Sequence, residues 1–176
     1  MITLVIGGAA SGKSEYAEGL VLKSAARPRI YLATMEPFGE EARRRVEKHR
    51  AMRATKDFQT LERYTGLPEI EVPAGSAVLL ECLGNLCANE LYSPDGAGEG
   101  LAAGAVLKGV ARLAAQCRNL VIVSNEVCSG GRDYAGDTLR YLQLLAFLHR
   151  RLAAQADNVC EVVCGLPVYH KGGEPQ

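Results

Sequence analysis

The chain has 176 residues, about one domain's worth, and enough to close a single hydrophobic core without disulfide or metal staples. Twenty Lys and Arg balance twenty Asp and Glu, which argues against nucleic acid or an anionic membrane as the main partner. No apolar run approaches the roughly 20 residues of a membrane span. The opening MITLVIGG lacks the basic stretch and cleavage site of a signal peptide, so the cytosol is the expected location.

In chain order, the apolar run at residues 2–6 predicts a strand. Residues 13–24 predict a helix whose Ala17, Leu20, Val21 and Ser24 share one face. Strands are expected again at 29–33, 78–82, 120–124 and 158–164, and helices at 40–52, 86–92, 101–117 and 138–156. The glycine-rich stretch 93–104 lies between two helical patterns; it reads as a mobile loop over a site or as a long connection, and the connection is favoured. Strands alternating with helices imply a mostly parallel sheet flanked by helices on both faces, with ligands at the carboxyl ends of the strands. No linker divides the chain, so residues 1–171 are expected to form one domain and 172–176 a frayed tail. Of six cysteines, Cys82, Cys160 and Cys164 lie in or beside apolar strand-like runs, where a thiol acts as a small buried hydrophobe. Neither Cys82–Cys87 nor Cys160–Cys164 has the CxxC spacing of a zinc site.

Gly7-Gly8-Ala9-Ala10-Ser11-Gly12-Lys13-Ser14 fits G-x-x-x-x-G-K-[ST], directly after the first strand and opening the first helix. Small residues let successive backbone N–H groups curl around a polyphosphate, and the helix N-terminus adds partial positive charge. Lys13 is expected to neutralise β- and γ-phosphate oxygens, and the Ser14 hydroxyl to ligate Mg²⁺. A tight turn with glycines placed for backbone reasons alone leaves the Lys-Ser pair unexplained. The expected fold is therefore α/β and P-loop NTPase-like. Such a site needs a carboxylate at a neighbouring strand end. Glu81, closing AVLLE, is the preferred acid on the metal and phosphate side, and Glu126, after LVIVSN, is placed near a second substrate.

The segment FGEEARRRVEKHRAMR at 38–53 begins acidic and ends basic, as the helix macrodipole favours. Phe38, Ala42, Val46 and His49 form its inner stripe, with Arg45 and Arg53 four residues either side of the histidine. His49 is either a helix-end residue among solvated arginines or a nucleophilic imidazole with guanidinium groups ready to clamp phosphate. Spacing alone leaves both open.

The loop GGAASGKS, YLAT at 31–34, RVEKH at 45–49, TLE at 60–62, LLECL at 79–83, SNEV at 124–127, RLAAQAD at 151–157 and VVCGLP at 162–167 together resemble the bifunctional adenosylcobinamide kinase/adenosylcobinamide-phosphate guanylyltransferases of cobalamin biosynthesis. The likeness implies phosphorylation of adenosylcobinamide by ATP or GTP. GMP transfer from GTP through a GMP–histidine intermediate then gives adenosylcobinamide-GDP and pyrophosphate. It implies His49 as the guanylylated residue beside catalytic Lys13. Nucleotide contacts would come from residues 7–14, from Ala33, Thr34 and Met35, from Arg50, Ala51, Met52 and Arg53, and from Glu62 and Glu81; Ser14 and Glu81 would hold Mg²⁺. It further implies a homotrimer acting on small molecules, in line with the absence of nucleic acid or a membrane expected from charge and hydropathy.

Three places depart from the commonest family pattern: Gly84 for a frequent threonine, residues 128–133 for a glycine-rich turn ending in proline, and His149-Arg150 for a frequent Asn-Gln pair. They bear on the cobinamide half. The competing readings are a P-loop kinase with another acceptor and no guanylyl transfer, and a nucleotide-dependent regulatory module.

Overall fold

The computed structural model describes residues 1–37, 39–40, 44, 47, 56–127 and 133–174. His49, Arg50, Ala51, Met52 and Arg53 lie outside the described residues, as does most of the helical pattern expected at 40–52.

Among the described residues, seven strands form one sheet: β1 (Ile2–Gly7), β2 (Arg29–Ala33), β3 (Gln59–Glu62), β4 (Ala77–Glu81), β5 (Asn119–Asn125), β6 (Asn158–Val163) and β7 (Leu166–Lys171). Their order across the sheet is β3-β2-β4-β5-β1-β6-β7, parallel throughout except for the antiparallel β6–β7 hairpin. Four longer α-helices, α1 (Lys13–Lys23), α2 (Leu83–Tyr92), α3 (Ala102–Gln116) and α4 (Gly136–Gln155), and a 3-10 turn at Leu67–Glu69 flank the sheet.

The central strands are mostly apolar on both faces, with Thr3 and Ser124 the buried exceptions in β1 and β5, because both faces are covered. Their period of two divides the core into two layers. Leu4, Ile30, Leu32, Val78, Leu80, Leu120 and Ile122 face α2, α3 and α4, meeting Leu86, Val110, Leu113, Leu145 and Leu148. Val5, Tyr31, Leu79, Val121 and Val123 face the other way, against Ala17, Leu20 and Val21 of α1. Helices on both faces of a mostly parallel sheet is the expected architecture, and the expected apolar face of the first helix is the one that packs.

Two strands were not expected. β3 (QTLE) and β7 (LPVYHK) are the two edges, largely exposed, and β7 carries a proline that an edge strand tolerates. The β6–β7 hairpin also corrects the reading of Cys164. With φ of 50° at Cys164 and 80° at Gly165, the pair forms a two-residue left-handed turn, so this thiol is exposed at the tip rather than buried. Cys82, Cys87, Cys117 and Cys160 are buried and free, and burial pushes the Cys87 thiol up to about 12.

The glycine-rich stretch is a pinned connection between α2 and α3. Glu90, 1% exposed, accepts from the backbone N–H of Ala97 (2.9 Å) and of Gly66 (2.8 Å), while its own carbonyl accepts from Gly98 N–H (2.8 Å). Of the tail expected to fray, Gly173 N–H reaches Asn158 Oδ1 at 3.2 Å and Glu174 pairs with Lys23 at 2.6 Å.

Candidate active site

The P-loop crosses from β1 to α1 at the carboxyl edge of the sheet, and its conformation accounts for its composition. A Cβ at Gly7 would stand 2.6 Å from Ser11 Oγ and 2.7 Å from the Val162 carbonyl oxygen, so only glycine fits. Ala10 and Gly12 adopt left-handed backbone, φ 55° and 90°, which turns neighbouring N–H groups into one concavity. Gly12 caps α1 without any side-chain hydrogen bond, leaving the first N–H groups of the helix for an anion. Lys13 is almost wholly buried, and its ammonium donates to the Gly8 carbonyl at 3.0 Å, which holds its charge across the mouth of the loop.

The adjoining strand ends bring the acids. Ser14 Oγ donates to Glu81 Oε1 across 67 residues of sequence. The register places Ala33 beside both Glu81 and Glu62, so the residues expected on β2, β3 and β4 share one stretch of the sheet edge. Glu62 accepts from the Tyr64 hydroxyl at 2.9 Å. Met35 is half-buried just beyond. Thr34 is fully buried: its hydroxyl donates to the Cys82 carbonyl (2.8 Å) and accepts from the Cys82 N–H (2.7 Å). Its side chain thus latches the end of β2 to the start of α2. Asn89 continues the latch, donating to the carbonyls of Thr34 (2.8 Å) and Tyr64 (3.0 Å).

On the far side of β4, the Glu126 N–H donates to the Gly7 carbonyl at 2.9 Å, fixing the end of β5 beside the P-loop. Behind it, Ser124 is fully buried and its hydroxyl lies 2.7 Å from His149 Nε2 of α4. Burial lowers the pKa of His149, and the nearby Glu126 carboxylate partly opposes this. Of the departures from the family pattern, a Cβ at Gly84 would stand 2.9 Å from the Tyr141 hydroxyl, so a larger residue there would push the tyrosine aside. Residues 128–132 lie outside the described residues.

The sequence motifs did not disclose the latch of Thr34 and Asn89, the Ser124–His149 pair or the contact between the P-loop and the β6–β7 turn. The one available signal was a polar Asn89 among the apolar positions of α2.

A loop of this geometry, with a lysine over its mouth and a serine–glutamate pair at its rim, defines a P-loop nucleotide-binding α/β protein. Its particular kind follows from comparison with known families. The chain belongs to the cobinamide kinase / cobinamide phosphate guanyltransferase family, whose model matches residues 3–169. It is 32% identical to the bifunctional adenosylcobalamin biosynthesis protein CobP of Pseudomonas aeruginosa, over 98% of each chain. It is 31% identical to the bifunctional adenosylcobalamin biosynthesis protein CobU of Escherichia coli K12, over 96% of this chain and 98% of that one. Among solved structures, the flagellar accessory protein FlaH of Methanocaldococcus jannaschii shares the fold, with a TM-score of 0.51 at 11% identity over 98% of this chain and 78% of that one. Among the described residues, no helix is long and apolar enough to cross a membrane.

Proposed function

We propose that this protein phosphorylates the aminopropanol hydroxyl of adenosylcobinamide and then transfers GMP to the phosphate it has made. The observation that carries this reading is the convergence of Lys13, Ser14 and Glu81 on one uncapped helix N-terminus, in a chain of this family. In the first reaction the acceptor oxygen attacks the γ-phosphorus of ATP or GTP. The β–γ bridging bond breaks, and the hydroxyl proton leaves to solvent or a carboxylate at the sheet edge. Lys13 and the loop N–H groups hold the charge that develops on the phosphate oxygens. The hydroxyl of Ser14 and the carboxylate of Glu81 are hard oxygen donors brought together at the rim, a set that suits Mg²⁺. When bound, Mg²⁺ neutralises phosphate charge.

In the second reaction a ring nitrogen of His49 attacks the α-phosphorus of GTP and pyrophosphate departs. A phosphate oxygen of the cobinamide phosphate then displaces the histidine, giving adenosylcobinamide-GDP. Ala33, Met35, Glu62 and residues 50–53 would contact the guanosine, with Thr34 supporting them from within. The active assembly is a trimer in the cytoplasm.

Incubation with GTP and Mg²⁺, with no corrinoid present, is expected to add one GMP per chain by intact mass. The bond should be acid-labile and base-stable, as a phosphoramidate is. His49→Ala should lose the adduct and keep the kinase step, and omission of Mg²⁺ should abolish labelling. A wild-type chain that phosphorylates cobinamide but never takes up GMP would support the simpler kinase instead.

A further inference from the structure

Beside the P-loop, on the β6–β7 side, lies a cleft of about 290 Å³ lined by Gly12, Tyr16, Gly19, Leu20 and Gly165, with Glu15 and Lys23 at its rim. That volume is at the lower end of small-ligand pockets. We propose that this cleft receives the purine nucleoside of the triphosphate that donates phosphate in the kinase step. The proposal rests on the kinase reading above and adds where the donor's base lies.

Position is the first argument. The cleft begins at Gly12, the last residue of the phosphate cradle, and runs along α1 to Gly19. Seven residues at 1.5 Å each make about 10 Å, the scale of a nucleoside leaving its phosphates. The walls are the second. Leu20 gives an apolar side, the Tyr16 ring another, and glycine backbone the rest, which makes a slot for a flat base. The Tyr16 hydroxyl lies 2.6 Å from that of Tyr169 on β7, which fixes the ring in place. The Gly165 N–H donates to the Ser11 carbonyl at 2.8 Å, so the hairpin wall is tied to the cradle itself.

The third argument is Gly19. Glycine inside a helix is destabilising relative to alanine, and it is usually explained by a neighbour that leaves no room for a Cβ. At Gly19 nothing lies within 4 Å of the Cβ position. Packing within the chain does not require glycine there, whereas an unobstructed cleft does. Ala33, Glu62 and Glu81 lie on the opposite side of the P-loop, towards β4, β2 and β3. The two reactions would then place their nucleosides on opposite sides of one phosphate cradle.

Gly19→Phe tests this directly. A long helical side chain covers the turn N-terminal to its own Cα, which here is the floor of the cleft. Calorimetry with Mg²⁺ and ATP or inorganic tripolyphosphate requires no acceptor. ATP affinity is expected to fall about tenfold or more, with tripolyphosphate affinity unchanged. In the kinase assay KM for the donor should rise by a similar factor at near-constant kcat, while GMP labelling by saturating GTP continues. Gly19→Ala, which adds a single methyl to the cleft, should lose less ATP affinity than Gly19→Phe. Unchanged ATP affinity in Gly19→Phe, equal loss of tripolyphosphate binding, or parallel loss of GMP labelling would each overturn the proposal. A wild-type chain that fails to phosphorylate cobinamide would sink the kinase reading instead, and leave the calorimetric result standing.

Discussion

Lys13 and Gly8 show how a single charge is held ready over a backbone concavity. Lys13→Ala leaves the cradle of N–H groups in place and removes the point charge from the transferring phosphoryl group. Such deletions cost on the order of 10²–10³ in rate, so kcat for phosphorylation should fall by about that factor. Unaltered turnover at saturating Mg²⁺ and donor would remove Lys13 from the chemistry. The placement of this residue, Ser14 and Glu81 at one sheet edge was legible in the sequence because it is set by local position: after a glycine loop, at a helix start, at a strand end. Thr34 and Asn89 were not. Their partners are backbone groups 48 and 55 residues away, and no spacing rule encodes such a pairing. Cys164 was misread for a related reason. An apolar run does not reveal where its last residue turns left-handed.

Among the elements, the connection from α2 to α3 depends on Glu90. Its carboxylate joins that loop to the turn at Gly66, and removing it would orphan two backbone donors at about 1–3 kcal/mol each. Glu90→Ala should therefore lower unfolding stability by several kcal/mol, read as a lower urea midpoint at unchanged slope. A shift within experimental error would show that solvent satisfies both donors. The packing of α4 on β5 carries a second expectation. His149 is held below its ordinary pKa by burial, with Ser124 against its ring and Glu126 nearby. The unfolded chain thus binds the proton more readily than the folded one. Stability is complete above about pH 6.5 and declines as pH falls through that value toward the folded pKa. His149→Gln should show a smaller loss of stability between pH 7 and pH 5 than the wild type. Equal losses would mean that other groups set the dependence. The central strands and four helices were readable because burial on two faces, or on one helical stripe, imposes a pattern. β3 and β7 escaped notice because an edge strand in contact with water need not be apolar.

For the whole molecule, the exposed apolar side chains of the hairpin stand out: Leu166 is 69% exposed, with Val163 and Val168 about half exposed. The trimer proposed above should appear in light scattering as three times the 18.8 kDa chain mass at micromolar concentration. A single-chain mass throughout that range would rule it out. The sheet order has a consequence in time. The strand that carries the P-loop is the first in the chain, yet both its neighbours, β5 and β6, belong to the final third. At about 5–20 residues per second, roughly 8–30 s of synthesis separate β1 from β6. Until β5 emerges the nascent ITLVIG segment has neither strand to pair with, and until β6 and β7 follow the phosphate cradle lacks the hairpin that braces it. The growing chain must keep the strand that bears its phosphate loop from premature association until these later strands arrive.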